Sequence, residues 1–246
     1  MKIRKVLCVG FALLVGLGLS SCATLLLNSF AGSDSQASSA SAAPPSGGAP
    51  AGGQSPNLRL ESETQARLAK AARSLVGRSA FNIDGQKFNA DCSGTMLAVF
   101  YLAGLDLRAD FSRARGGNGV ERLYRMMEKS GLLSTTDLPA VGSLLFWDDT
   151  YDKNGDGKAD DPFAHVGIVV SAKENGDITF VHYHYIKGVV EEPMNLKEPA
   201  TFMERRDGKD VVVNAKLRMV SWKPDSKTLA SELYRAAGQA YKYKPQ

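Results

Sequence analysis

Cysteine and histidine are scarce in this chain of 246 residues, three of each. Cys8 and Cys22 lie near the start, so Cys92 stands alone beyond them with no partner for an intrachain disulfide, and a disulfide-stapled scaffold is excluded. An excess of one charge is also missing. Thirty basic residues face 26 acidic ones, and three of the basic residues, Lys2, Arg4 and Lys5, precede Cys22, leaving 27 against 26 after it. No Lys/Arg stripe and no interleaved aromatic platform accompanies them, which argues against nucleic acid as a partner. The apolar run Val6 to Leu19 is too short for a comfortable membrane span.

What is present at the start is ordered by function. Three basic residues, that apolar run and then Leu19-Ser20-Ser21-Cys22 follow one another as in a secretory signal. The last four residues resemble a bacterial lipobox, which implies removal of residues 1–21, a diacylglycerol thioether on Cys22 and acylation of the new terminus, for example by palmitate. Ala23, rather than an aspartate, follows the cysteine, and this leans towards the periplasmic face of the outer membrane. Residues 22–57 then form the anchor and a Ser/Ala/Gly/Pro/Gln linker that lacks apolar periodicity and cannot bury enough surface to fold. Its flexible reach is roughly 30 Å. The functional domain is expected over 58–246.

That domain opens on Ser62-Glu63-Thr64-Gln65, a capping-box pattern, with Leu68, Ala71, Ala72 and Leu75 at helical spacing and Gly77 as a stop. After an extended or looped stretch from Phe81 to Phe88 comes Asp91-Cys92-Ser93-Gly94 and an apolar run to Gly104, predicting a central buried helix. With Asp91 as its N-cap, Cys92 falls in the first turn, where free N–H groups and the helix dipole favour a thiolate. A third helix is predicted over 119–129. Strands are predicted over 142–147, 164–170 and 177–185, with Asn175-Gly176 as a hairpin turn. A further strand over 216–222 and a closing helix over 226–241 complete the expectation, an α+β fold with N-terminal helices packed on an antiparallel sheet. The segment 191–223 matches no pattern.

A thiol that attacks an amide needs a base, and that base needs a group that fixes its tautomer. All three histidines fall between His165 and His184, within the predicted strands. His165 suits the base. His182 and His184 share one face of their strand, so both compete for the orienting position. The oxyanion donor expected is the amide of Cys92.

Asp91-Cys92-Ser93-Gly94, then Pro139 to Trp147, then His165-Val166-Gly167-Ile168-Val169-Val170, then a hairpin and Val181-His182 are similar in order and spacing to NlpC/P60 cysteine peptidases and the related CHAP amidases. The resemblance covers about 58–188. It implies a papain-like core with a Cys92-His165-His182 triad, His182 being preferred to His184 because the family's polar residue directly follows a Phe-Val pair. The implied substrate is peptidoglycan, cleaved at an amide of its stem peptides. The family usually carries Tyr-x-x-Gly-Gly upstream of the cysteine, whereas this chain has Phe81-Asn82-Ile83-Asp84-Gly85.

An acidic loop is inserted before His165. Asp152, Asn154 and Asp156 alternate, Gly157 forms a turn, the carbonyl of Lys158 follows, and Asp160 completes the first nine positions of an EF-hand-like Ca²⁺ loop. Position twelve is Phe163, so another carboxylate among Asp148, Asp149 and Asp161, or water, is needed. A solvated acidic turn is the competing explanation. A zinc site from Cys92 and the three histidines is geometrically conceivable but has no familiar ligand spacing. Arg113, Arg115, Arg122 and Arg125 suit either stem-peptide carboxylates or a solvated helix face. The expected function is therefore a lipid-anchored cysteine hydrolase of peptidoglycan. A CHAP-like amidase and a catalytically silent, calcium-stabilised wall-binding module are the alternatives.

Overall fold

A computed structural model describes residues 56–218 and 227–246. They lie within one unit formed by Gly52–Gln246. In chain order the elements are helix α1 (Pro56–Ser74), strands β1 (Phe81–Ile83) and β2 (Gln86–Phe88), helices α2 (Cys92–Leu102), α3 (Arg108–Arg113) and α4 (Gly119–Lys129), and strands β3 (Leu133–Ser134), β4 (Leu144–Trp147), β5 (His165–Ala172), β6 (Asp177–His184), β7 (Gly188–Asn195), β8 (Met203–Arg206), β9 (Lys209–Val212) and β10 (Tyr234–Gly238), then a 3₁₀ turn (Ala240–Lys242). Among the described residues no helix is long and apolar enough to cross a membrane.

The six-stranded sheet runs β3-β10-β4-β5-β6-β7 with every neighbouring pair antiparallel. Antiparallel pairing throughout, with the first four helices preceding it, makes the fold α+β. Period-two alternation sorts β4 cleanly. Leu144 and Phe146 join the buried cluster beneath the helices, while Leu145 and Trp147 join a second cluster with Phe180, Met194, Leu217 and Leu233. Each of these fully buried large side chains contributes about 1.5–3 kcal/mol by leaving water. Both faces of the sheet are therefore covered.

Helix α1 buries Leu68, Ala71, Ala72 and Leu75 as their spacing requires. It starts at Pro56, not at Ser62, so the capping-box residues lie inside the helix and Ser62 caps nothing. Helix α2 is capped as expected: Asp91 Oδ1 accepts from the backbone N–H of Gly94 at 2.6 Å and from the hydroxyl of Ser93 at 2.8 Å. Helix α4 matches its predicted span, with Asn118 as N-cap, and α3 was not foreseen.

The predicted closing helix is wrong. Within the described part of that segment the chain forms β10, inserted between β3 and β4. Ala236 and Ala237 are both buried, and a β-carbon on Gly238 would lie 2.5 Å from Met127 Cγ. Small residues are needed where α4 approaches the sheet, and that tertiary demand overrides the helix propensity of alanine. The predicted strand over 216–222 is reduced to a single bridge between Lys216 and Leu229, and 219–222 lie outside the described residues. The uninterpreted segment supplies β7 and the β8–β9 hairpin.

Candidate active site

Cys92 is the first residue of α2 and is partly buried. A cavity of about 330 Å³ opens beside it, and His165, His182 and His184 line the same cavity. The residues proposed from three separate stretches of sequence are thus brought to one place by the packing of α2 against β5 and β6.

The two strand histidines meet directly. In the β5–β6 ladder His182 pairs with Gly167, two positions beyond His165. A side chain at 167 would not fit, since its β-carbon would lie 2.9 Å from the Val181 carbonyl oxygen and 3.2 Å from His182 Cβ. His165 Nε2 and His182 Nδ1 are 2.8 Å apart, and His182 Nε2 lies 3.0 Å from Glu192 Oε2. His182 is only 2% exposed. Trp147 packs beside His165 and Phe180 beside His182, which limits the swing of both rings.

This geometry fixes the tautomers. A carboxylate only accepts, so His182 Nε2–H donates to Glu192 and the neutral ring leaves Nδ1 as an acceptor. His165 must then donate from Nε2, which leaves Nδ1 of His165 as a bare lone pair. Burial, followed by the neighbouring His182 and His184, holds the His165 pKa well below the ordinary histidine value, so the ring rests neutral. Burial pushes Glu192 upwards, but the hydrogen bond and charge interaction with His182 prevail and its pKa is lowered overall. Glu192 was missed because it lies in the segment without a recognised pattern. The available signal was its position on β7, opposite Phe180 and diagonal to His182.

His184 takes another role. Its Nδ1 accepts from the backbone N–H of Ile186 at 3.1 Å and of Lys187 at 3.3 Å, closing the β6–β7 turn, and its ring stacks on Tyr185. Of the two candidates, His182 is the one hydrogen-bonded to His165.

The expected resting thiolate is not found. Burial, then the adjacent Asp91 carboxylate, pushes the Cys92 thiol up to about 12, although the backbone N–H groups of Val166, Ser93 and Cys92 itself pull the other way. The N-terminal turn does favour the anion, and desolvation outweighs it.

The acidic insert places Thr150 and Tyr151 on the cavity wall. Phe81 instead packs edge-on against Tyr183. Further along the insert, Asp152 accepts from Gly155 and Gly157 N–H, Asn154 from Asp156 N–H, and Asp156 from Lys158 N–H. The loop thus caps its own backbone. Among the described residues no three His, Cys, Asp or Glu side chains are grouped to hold a metal ion, so Asp152, Asn154, Asp156, Lys158 and Asp160 do not form a ligand set as placed. The arginines lie elsewhere: Arg113 pairs with Asp110, Arg125 with Glu121, and Arg122 reaches the Gly116 carbonyl and the Phe111 ring. Neither they nor Arg115 line the Cys92 cavity. Cys22 lies outside the described residues.

No family model and no curated protein matches the sequence, and no solved structure matches the chain.

Proposed function

We propose that this chain is a cysteine hydrolase of the papain-like NlpC/P60 kind, cleaving amide bonds of peptidoglycan stem peptides. The observation that carries the proposal is the relay from His165 through His182 to Glu192 beside the Cys92 cavity. Such a relay points the basic lone pair of His165 away from His182 and leaves it for a thiol proton.

The reaction starts from a neutral pair. As Sγ of Cys92 bonds to the amide carbon, its proton passes to His165 Nδ1 and the carbonyl π electrons move to oxygen, where the Cys92 N–H at the start of α2 donates to the oxyanion. His182, backed by the Glu192 carboxylate, stabilises the imidazolium. Collapse of the adduct breaks the C–N bond, and His165 returns the proton to the leaving amine. Water then hydrolyses the thioester with His165 again as base, which restores the thiol.

Lipid anchoring through Cys22 at the periplasmic face of the outer membrane is part of the same proposal and is supported by Leu19-Ser20-Ser21-Cys22. Calcium is proposed only as a stabiliser of the 152–160 loop, whose side-chain oxygens are of the type calcium takes, and no chemical step runs through it.

Digestion of purified sacculi, followed by mass analysis of released fragments, tests the proposal. Fragments cut within the stem peptide and absent with Cys92→Ala are expected. Free stem peptides cut from sugar would instead identify a CHAP-like amidase. A silent wall-binding module is favoured by one observation, the raised Cys92 thiol, and would bind sacculi without releasing anything.

A further inference from the structure

The wall of the cavity facing Cys92 is mostly aromatic and apolar, with Tyr151, Tyr183, Tyr185 and Leu217 among its residues. Two polar groups interrupt it without an evident internal use. Thr150 is 4% exposed, and its Oγ1 has no hydrogen-bond partner. A buried hydroxyl in that state is costly unless something enters to meet it. Lys216 is the one Lys or Arg among the described residues lining the cavity. Its ammonium lies 4.4 Å from the centroid of the Phe202 ring, and it has no ion pair among the described residues.

The charge around this wall is not balanced by the protein. Asp91 is the only acidic residue lining the cavity among the described residues, and its Oδ1 is already engaged by Gly94 and Ser93. Two residues beyond Lys216, Arg218 is buried with Nε and Nη1 unpartnered. A lone ammonium and an unsatisfied hydroxyl on the wall of one cavity form a recognition pair for an anion with two oxygen acceptors.

We propose that Lys216 and Thr150 form a carboxylate subsite, so that the substrate is a peptide bearing a free carboxylate beside the amide that Cys92 attacks. This rests on the hydrolase proposal above. Both residues lie outside the motifs that carry the chemistry, one on the acidic insert and one in the C-terminal segment, so they set which amide is chosen.

The test compares a soluble stem tetrapeptide with the same peptide carrying carboxamides in place of its carboxyls, using the full chain. The acid is expected to be preferred in kcat/KM by about tenfold to a hundredfold, the range of a charged hydrogen bond. Lys216→Met is expected to abolish the preference, Lys216→Arg to keep most of it, and Thr150→Val to reduce it several-fold. Lys216 is exposed, so its variants should fold, which thermal melting checks. Calorimetric binding of both peptides to the Cys92→Ala chain separates recognition from turnover. Hydrolysis with equal preference for acid and amide overturns the subsite and leaves the hydrolase standing. Acid-selective binding that depends on Lys216, without turnover by the wild type, supports the subsite and overturns the hydrolase. Neither binding nor turnover of either peptide overturns both.

Discussion

Glu192 reaches across the β6–β7 ladder to hold Nε2 of His182 at 3.0 Å, and through that contact it determines which nitrogen of His165 carries a proton. A residue that never touches the thiol thereby sets the state of its base.

Glu192→Gln isolates this effect. The glutamine amide donates to His182 Nε2, which moves the His182 proton to Nδ1, and His165 Nε2 becomes an acceptor with its own proton on Nδ1. The base is then in the wrong tautomer. A kcat lowered roughly a hundredfold or more is expected, with little change in KM or melting temperature, measured on the stem tetrapeptide. Equal losses in kcat and melting temperature would indicate a structural role only.

Acid stability should report the buried His165. The unfolded chain takes up a proton near the ordinary histidine value of about 6.5, while the folded chain resists it. The unfolded state therefore binds more protons below that pH, and stability present above it is lost as pH falls towards the depressed folded pKa. Melting temperature is expected to drop between about pH 7 and pH 5, and His165→Gln to flatten the slope.

Alkylation of Cys92 gives the opposite sign. With Cys8 and Cys22 replaced by alanine in the full chain, one thiol remains. Its pKa of about 12 means slow reaction with iodoacetamide at neutral pH and a rate still climbing well above the free-cysteine range. Asp91→Asn keeps a capping oxygen but removes the charge, so the curve is expected to shift to lower pH. An unshifted curve would rule out the Asp91 charge as a cause.

Calcium is tested on stability alone. If the loop binds it, added Ca²⁺ raises the melting temperature of the wild type and not of Asp156→Ala, as mass action requires of a ligand of the folded state. Identical melting with calcium or chelator removes the ion from the account. The kinetics of the relay variants should be indifferent to either outcome.

Local signals in the sequence located much of the site and much less of its support. Asp91 as cap, the apolar α2, the Asn175-Gly176 hairpin and the pairing of His165 with His182 all follow from short-range chemistry. Those features act within a turn, a helix or one ladder. By contrast, β10 is a strand only because α4 and two neighbouring strands leave room for small residues, which no window around Ala236 discloses. Glu192 needed the β6–β7 register, and the raised thiol needed the burial of Cys92. Helix-end electrostatics are readable from a cap sequence, whereas desolvation is a property of the whole fold.

The most direct measurement is covalent capture. The full chain with Cys8 and Cys22 replaced by alanine is incubated at neutral pH with a stem peptide carrying a chloromethyl ketone at the scissile carbonyl, and intact mass and peptide mapping follow. A single adduct on Cys92 is expected, formed far faster than iodoacetamide reacts and lost in His165→Ala. No adduct, or one formed equally fast without His165, would contradict a nucleophilic Cys92 served by that base.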